Sequence, residues 1–152
     1  EDDTVVDRVL YIGTNTNSIG QTYRDNNGII KAIIPNNVIE ISEYAFMDCA
    51  NLKIVELNAN ITLINTGCFA YCTSLSQISI PPTVNIINDI AFQQCTALKT
   101  INIPITLSSI GDRAFSGSGI TEIHYNGTKS QWGNISIGNN AFDDIICEEV
   151  VR

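Results

Sequence analysis

Phenylalanine recurs at a fixed interval along most of this chain. Phe46, Phe69, Phe92 and Phe115 stand 23 residues apart, and Phe142 follows after 27. A small residue precedes each ring, and Ile, Val or Leu recur at five further columns in the same register. A repeat of about 20 to 50 residues is the sequence signature of a solenoid, in which successive coils stack and bury a continuous core.

Each repeat ends in the pattern L-x-x-[VI]-x-[LI], whose alternation predicts one short strand per coil. These strands are expected over 52–57, 75–80 and 98–103. Stacking would pair them as a parallel sheet with neighbours about 4.8 Å apart. Pro81 and Pro104 follow two of the strands and should end them, because proline has no N–H to donate. The A-F-x-x-C segment has room for a turn or two of helix at most.

The composition agrees with a strand-and-turn protein. The 152 residues include 26 Ile and 17 Asn but only 7 Leu. Branched Ile suits a pleated sheet and Asn suits turns, so long helices are disfavoured. With 44% hydrophobic and only 16% charged residues, a disordered chain is excluded, and the length fits a single domain.

The formal charge of −8 belongs to the two ends of the chain. Residues 8–142 hold eight acidic and seven basic residues, with no basic cluster that would indicate nucleic-acid binding. No apolar run approaches the roughly 20 residues of a membrane span, and no signal segment begins the chain. Because it starts at Glu1 rather than Met, we expect a processed product or a fragment.

The repeat resembles a known family. The unit I-P-x-x-V-x-x-I-x-x-x-A-F-x-x-C-x-x-L-x-x-[IV]-x, found over 34–56, 57–79 and 80–102, is similar to the BspA-like type of leucine-rich repeat. Residues 103–124 match it with one deletion, and 125–138 resemble the longer unit near the end of such arrays. The resemblance implies an α/β fold class: a right-handed leucine-rich-repeat solenoid of about five coils, with a parallel β-sheet on its concave side and only short helices or turns.

Three regions follow from this pattern. Residues 1–28 are interpreted as an N-terminal cap or degenerate first repeat that contains a strand over 9–12. Tyr23 there occupies the phenylalanine column, although Asn26-Asn27-Gly28 is equally compatible with a tight turn between two strands. Residues 29–142 form the repeats. Residues 143–152 are a C-terminal cap segment or the cut end of a longer array, with a last strand expected within 145–151.

The cysteine column predicts a ladder of buried thiols. Cys49, Cys72 and Cys95 share one column, and Cys68 occupies a position that holds Ala in the neighbouring repeats. Free cysteine behaves as a small apolar residue, so burial is the favoured interpretation. Disulfides between adjacent coils and metal binding remain alternatives, although zinc sites have short paired spacings that are absent here. Cys147 is the cysteine we would expect to be exposed or reactive.

No residue pattern indicates catalysis. His124 is the single histidine, and it falls at an outward strand position without a partner nucleophile in sequence. Neither a G-x-S-x-G, an H-E-x-x-H nor a phosphate-binding glycine motif is present. We therefore expect no enzyme activity, no cofactor and no metal.

The outward columns of the predicted sheet form a candidate concave binding face. Its members are Lys31, Ile33, Ile54, Glu56, Gln77, Ser79, Thr100, Asn102, Glu122 and His124. Extended concave surfaces are where solenoids bind partners. These columns lack Trp, Tyr and Arg, the types enriched at hot spots, so a weak or multivalent contact, or simply a solvated face, is expected.

By its resemblance, the chain is expected to be a non-enzymatic binding module of a secreted or surface-displayed protein that contacts host proteins or other cells. A structural spacer that holds other domains is the alternative.

Trp132 allows two interpretations. It is an exposed anchor for a partner or a sugar, or, as we favour, it covers the core of the lengthened coil. Asn60, Asn126 and Asn134 begin N-glycosylation patterns that arise readily by chance in such a chain.

Overall fold

The computed structural model describes residues 2–143 and the backbone of 150–151. Fourteen short strands dominate it, joined by turns. A 3₁₀ turn spans Gln21–Tyr23, and one short helix, α1, spans Lys129–Trp132. The strands are β1 (Thr4–Val6), β2 (Val9–Tyr11), β3 (Ser18–Ile19), β4 (Lys31–Ile34), β5 (Glu40–Ile41), β6 (Ile54–Leu57), β7 (Leu63–Ile64), β8 (Gln77–Ile78), β9 (Ile86–Ile87), β10 (Thr100–Ile103), β11 (Ser109–Ile110), β12 (Glu122–Tyr125), β13 (Ser136–Ile137) and β14 (Val150–Val151).

The coils stack along a side that carries two sheets, ordered β1-β2-β4-β6-β8 and β10-β12-β14. Strand pairing is parallel throughout them, except that β1 runs antiparallel to β2. The predicted register holds: Val55 pairs with Ile78, and Ile101 pairs with Ile123. A second side carries the narrower sheet β13-β11-β9-β7 and the pair β3-β5. The chain is therefore a strand-rich parallel solenoid, as the repeat predicts.

The A-F-x-x-C segments are turns rather than helices. Two positions per coil have left-handed backbone, for example Ile90 at φ 50° and Gln94 at φ 60°, which a right-handed helix does not permit. The turns stack through backbone hydrogen bonds instead. The Phe46 N–H donates to the Cys68 carbonyl at 2.9 Å, and the Phe92 N–H donates to the Ala114 carbonyl at 2.7 Å. Hydrogen bonds thus join neighbouring coils on this side as well.

A column of stacked rings fills the core. Tyr23, Phe46, Phe69, Phe92, Phe115 and Phe142 lie in sequence with centroids 4.9–5.6 Å apart and nearly parallel planes. One ring per coil gives about six coils, the first of them supplied by the N-terminal segment. Because Tyr23 joins the column and β2 pairs parallel with β4, the Asn26-Asn27-Gly28 stretch is a coil turn and not a hairpin between antiparallel strands.

The cysteine column is the predicted ladder of buried thiols. Cys49, Cys68, Cys72 and Cys95 are free and buried. The Cys72 thiol donates to the Phe46 carbonyl at 3.1 Å, and the Cys95 thiol donates to the Phe69 carbonyl at 3.2 Å. Burial raises the pKa of Cys49 to about 11 and of Cys95 to about 12. These thiols therefore stay protonated at neutral pH and are poor nucleophiles. Cys147 lies outside the described residues.

The lengthened coil near the C-terminus is closed by Trp132, which confirms the favoured interpretation of this side chain. Trp132 packs against the core and lies edge-on to the ring of buried Tyr125, with centroids 5.2 Å apart. A capping box begins α1: the Thr128 hydroxyl accepts from the Gln131 N–H at 3.1 Å, and the Gln131 side chain accepts from the Thr128 N–H at 2.7 Å. Four residues of helix suffice to carry the indole to the core.

Candidate binding face

The ten residues of the predicted concave face lie together on one side of the solenoid. Nine stand on β4, β6, β8, β10 and β12, and Ser79 follows β8 directly. Burial alternates along these strands, so Ala32, Val55 and Ile101 point into the core while their neighbours remain half-buried or exposed. Across the strands, Lys31 lies beside Ile54 and Ile54 beside Gln77, while Asn102 lies beside His124.

The strands that carry this face form two sheets, where stacking of the coils was expected to give one parallel sheet. β8 is two residues long and pairs with β6 only, and β10 begins the second sheet. One coil earlier, the Asn58 N–H donates to the Ile34 carbonyl at 2.9 Å and so extends the pairing of β4 with β6. Pro81 and Pro104 occupy the equivalent positions in the next two coils and have no N–H to donate. The bond is therefore missing at the end of β6–β8 and again one coil later, and the strand pairing is interrupted between β8 and β10.

A groove of about 600 Å³ lies on this face beside the C-terminal ends of β6 and β8. Its volume falls in the range of about 300–1,000 Å³ that is usual for small-molecule sites. Five predicted residues line it: Ile54, Glu56, Gln77, Ser79 and Asn102. The lining also includes Asn58, Asn60 and Thr83. Leu57, Ala59, Ile80 and Pro82 add apolar surface, so the groove suits a ligand that combines apolar groups with polar ones, such as a peptide segment.

The concave face carries one ion pair and one contact between a histidine and a carboxylate. The Lys31 ammonium contacts the Glu56 carboxylate, and His124 Nε2 lies 3.1 Å from Glu122 Oε1. Both pairs are largely solvated, so each contributes little to stability. Because only three of its ten residues, Lys31, Glu56 and Glu122, are formally charged, the face carries no strong field that would select a charged partner.

Among residues 2–143, the carboxylate that contacts His124 is that of Glu122 on the same strand, and Asn102 lies beside it on β10. Within residues 2–143, no three or more His, Cys, Asp or Glu side chains cluster closely enough to hold a metal ion. No described helix is long and apolar enough to cross a membrane. The feature that the described residues of this face provide is a groove for binding.

Tyr11 is a face residue that the sequence did not reveal. It pairs with Ile33 through β2 and β4 and is 44% exposed, so the concave face does have an aromatic side chain next to its predicted columns. The spacing from Tyr11 to Ile33 is 22 residues rather than 23, so the 23-residue period did not place Tyr11 in this column.

β1 was also missed, because its two-residue turn Asp7-Arg8 lacks the usual glycine, although both residues adopt the left-handed backbone of a type I′ turn.

Stacked parallel coils, a strand-bearing concave face and a ladder of core rings define the leucine-rich-repeat class of solenoid. Six copies of the BspA type leucine-rich repeat match the chain over residues 17–149. The chain belongs to this family. Repeats of this kind indicate a protein-interaction or scaffold module, and they are typically non-enzymatic.

Solved structures show the same architecture. A leucine-rich cell surface protein from Faecalibacterium prausnitzii is 32% identical, with a TM-score of 0.82 over 86% of this chain and 35% of its own. A leucine-rich repeat protein from Bacteroides ovatus is 20% identical, with a TM-score of 0.69 over 89% of this chain and 46% of its own. The leucine-rich repeat protein of T. pallidum is 24% identical, with a TM-score of 0.64 over 95% of this chain and 64% of its own.

The chain therefore spans between about a third and two thirds of the length of these proteins. At 20% and 24% identity, the second and third of them share the fold alone with this chain. No curated protein matches the chain.

Proposed function

We propose that the chain is a non-enzymatic binding module of a secreted or surface-displayed protein, and that it attaches to proteins or cells through its concave face. The observation that carries this proposal is the groove on that face. Five outward residues from three successive strand-bearing coils line it, together with amide side chains that satisfy either donors or acceptors. The cell-surface description of the F. prausnitzii relative supports the location.

The composition of the face sets the kind of contact. Apart from Tyr11 at its N-terminal end, the side chains are small, aliphatic or polar, and Lys31 is already paired with Glu56. Few such residues make strong hot spots on their own. The proposal is therefore for adhesion of moderate affinity, strengthened when many copies are displayed on one surface.

A charge-introducing double variant tests the site. Glu56→Lys with Asn102→Lys places two cations at the groove, and we expect labelled protein to bind cultured epithelial cells at least about tenfold more weakly. Glu43→Lys with Asn85→Lys is the matched control. It makes the same substitutions at exposed residues away from the groove, and it should leave cell binding unchanged.

If the groove variant binds as well as the wild type, the concave face is not the binding site. If neither the wild type nor a multivalent display of it binds any cell or surface protein, the structural spacer is favoured instead. The pairing of Lys31 with Glu56 is the observation that fits a spacer, since it satisfies the one cation of the face within the chain. Turnover of a hydrolase substrate that is abolished by His124→Ala would overturn the non-enzymatic assignment.

A further inference from the structure

The N-terminal edge of the concave sheet is formed by β1, which differs from the other strands of that sheet. β1 pairs with β2 on one side and has no strand on its other side among the described residues. In a two-residue hairpin the pair flanking the turn is hydrogen-bonded, and bonded pairs then alternate. Val6 with Val9 and Thr4 with Tyr11 are therefore bonded, and the N–H and C=O of Val5 point away from β2.

Both faces of β1 are apolar and open. Val6 is 56% exposed on the concave side, where it lies beside Val9. Val5 is 53% exposed on the opposite side, where its neighbour Leu10 is fully buried in the core. Every inner strand has its core-facing side chain covered by a coil on each side, and Val5 does not. An added strand would cover both valines, which a contact with one face alone would not do.

The edge is held in place before any partner arrives. The Asp3 carboxylate accepts hydrogen bonds from the Gly13 N–H at 2.9 Å and from the Thr16 and Tyr23 hydroxyls, each at 2.5 Å. At the other end of β1, the Arg8 guanidinium donates to the Gly28 carbonyl at 3.0 Å. A strand already fixed in its bound conformation loses little entropy on pairing, which favours strand addition.

The charge around this edge selects the partner. Residues 1–11 include four acidic residues and one basic residue, and that arginine is engaged at Gly28. Asp2 and Asp7 are exposed at the two ends of β1. Antiparallel pairing with the β1 of a second copy, centred on Val5, would set Asp7 of each copy opposite Asp3 of the other, which is destabilising. A strand with cationic flanks is complementary instead.

We propose that β1 is a docking edge for an extended segment of another protein, with apolar residues between lysines or arginines, which adds to the sheet beside Val5 and Val6. This site adjoins the concave face but does not depend on the groove. Main-chain hydrogen bonds to Val5 would provide the pairing, the two valines would select apolar side chains, and Asp2 and Asp7 would select the flanking cations.

Synthetic peptides test the proposal on the whole chain. The probe is KKVTVTVKK, and the comparison peptides are EEVTVTVEE, with reversed flanks, and KKSTSTSKK, without apolar residues. We expect KKVTVTVKK to shift the amide resonances of Val5 and Val6 and to bind at least about tenfold more tightly than either comparison peptide at low salt. Equal binding of all three peptides, or shifts that map to the groove, would overturn the assignment.

Two variants separate the pairing from the charge. Val5→Pro removes the outward N–H without removing a bond to β2, so it should abolish peptide binding, while Val5→Thr retains the N–H and should bind within about threefold of the wild type. Asp2→Asn with Asp7→Asn leaves the hairpin geometry intact and should weaken KKVTVTVKK about fivefold at low salt, with the difference lost at high salt. The second test remains decisive if Val5→Pro disturbs the hairpin.

The groove variant keeps this proposal distinct from the proposed function. Glu56→Lys with Asn102→Lys should leave KKVTVTVKK binding unchanged, whereas it should weaken cell binding. Loss of peptide binding in that variant would assign the peptide to the concave face and refute docking at β1. Dimerisation of the wild-type chain that Val5→Pro abolishes would identify a second copy as the occupant and would equally refute a basic partner.

Discussion

Gly67 shows how closely the coils approach one another at single residues. Its φ is 59°, and a Cβ added there would lie 2.5 Å from Cδ1 of Tyr44 in the preceding coil. We predict that Gly67→Ala lowers the free energy of unfolding by about 2 kcal/mol, because it combines left-handed strain with displacement of the Tyr44 ring. Gly20→Ala is the control, since nothing lies within 4 Å of its added Cβ. Equal urea midpoints for the two variants would contradict this account.

Phe92 tests the ring column at its centre. The ring is fully buried between Phe69 and Phe115, at centroid distances of 5.5 and 5.1 Å. We predict that Phe92→Ala costs about 3–5 kcal/mol, since a cavity opens between two coils that cannot collapse independently. Ile105→Ala, at a side chain 59% exposed, should cost less than about 0.5 kcal/mol. Chemical denaturation measures both, and a Phe92 variant as stable as the wild type would refute the column.

At the scale of elements, a pH-sensitive cluster around Asp3 fastens the N-terminal end of β1 to the first coil. Partial burial acts to raise the pKa of Asp3, but hydrogen bonds from Thr16, Tyr23 and Gly13 outweigh it and hold that pKa below its ordinary value of 3.8. Burial, together with the Asp3 carboxylate, raises the pKa of Tyr23 above its ordinary value of 10.0. The stabilisation is therefore complete between these two ordinary values. It is lost as pH falls through the lowered pKa of Asp3 or rises above the ordinary pKa of Tyr23.

Replacement of the carboxylate should reveal this dependence. We predict that Asp3→Asn costs about 1–2 kcal/mol at neutral pH, because three donors lose a charged acceptor. The difference from the wild type should shrink below about pH 3.8, where Asp3 of the unfolded wild type takes up a proton, and it should be lost once the folded carboxylate is protonated too. Thermal melts across pH measure it, with Asp2→Asn, at an exposed carboxylate, as the control. A difference that stays constant down to pH 2 would rule out titration of Asp3 as the cause.

The elements also show what the sequence could predict. Alternation and the 23-residue period predicted β6 and β10, the parallel pairing and the ring column, because every repeat reports the same packing. They overestimated the length of β8, which was expected over 75–80 but covers only Gln77–Ile78. The effect of Pro81 on that strand depends on which carbonyl of the preceding coil would have accepted its missing N–H, and the sequence does not show this. They missed β1, because Asp7 and Arg8 form a turn that their residue types do not indicate and that Asp3 and Tyr23 stabilise from a distance.

The whole molecule is a one-dimensional stack, and its charge follows that geometry. The acidic residues concentrate at the two ends of the sequence, while residues 8–142 are nearly neutral. Because the repeats are nearly neutral, their coils pack closely without repulsion between like charges. Carboxylates around the edge at β1 oppose pairing between identical edges, as in other sheets whose edges are protected by charge.

The stability of such a stack is the sum of the intrinsic stability of each coil and the contacts between neighbouring coils. The number of coils that a core substitution destabilises should therefore depend on its position in the stack. Phe142 is the last ring of the column and is 5% exposed, and it stacks on Phe115. We predict that Phe142→Ala speeds hydrogen exchange at the Phe115 N–H, which donates to Ala141, but leaves the Phe46 N–H protected through its bond to Cys68. Phe92→Ala should speed exchange at both amides, since coils on either side lose their shared neighbour. Exchange that changes equally at the two amides in both variants would show instead that the array opens only as a single cooperative unit.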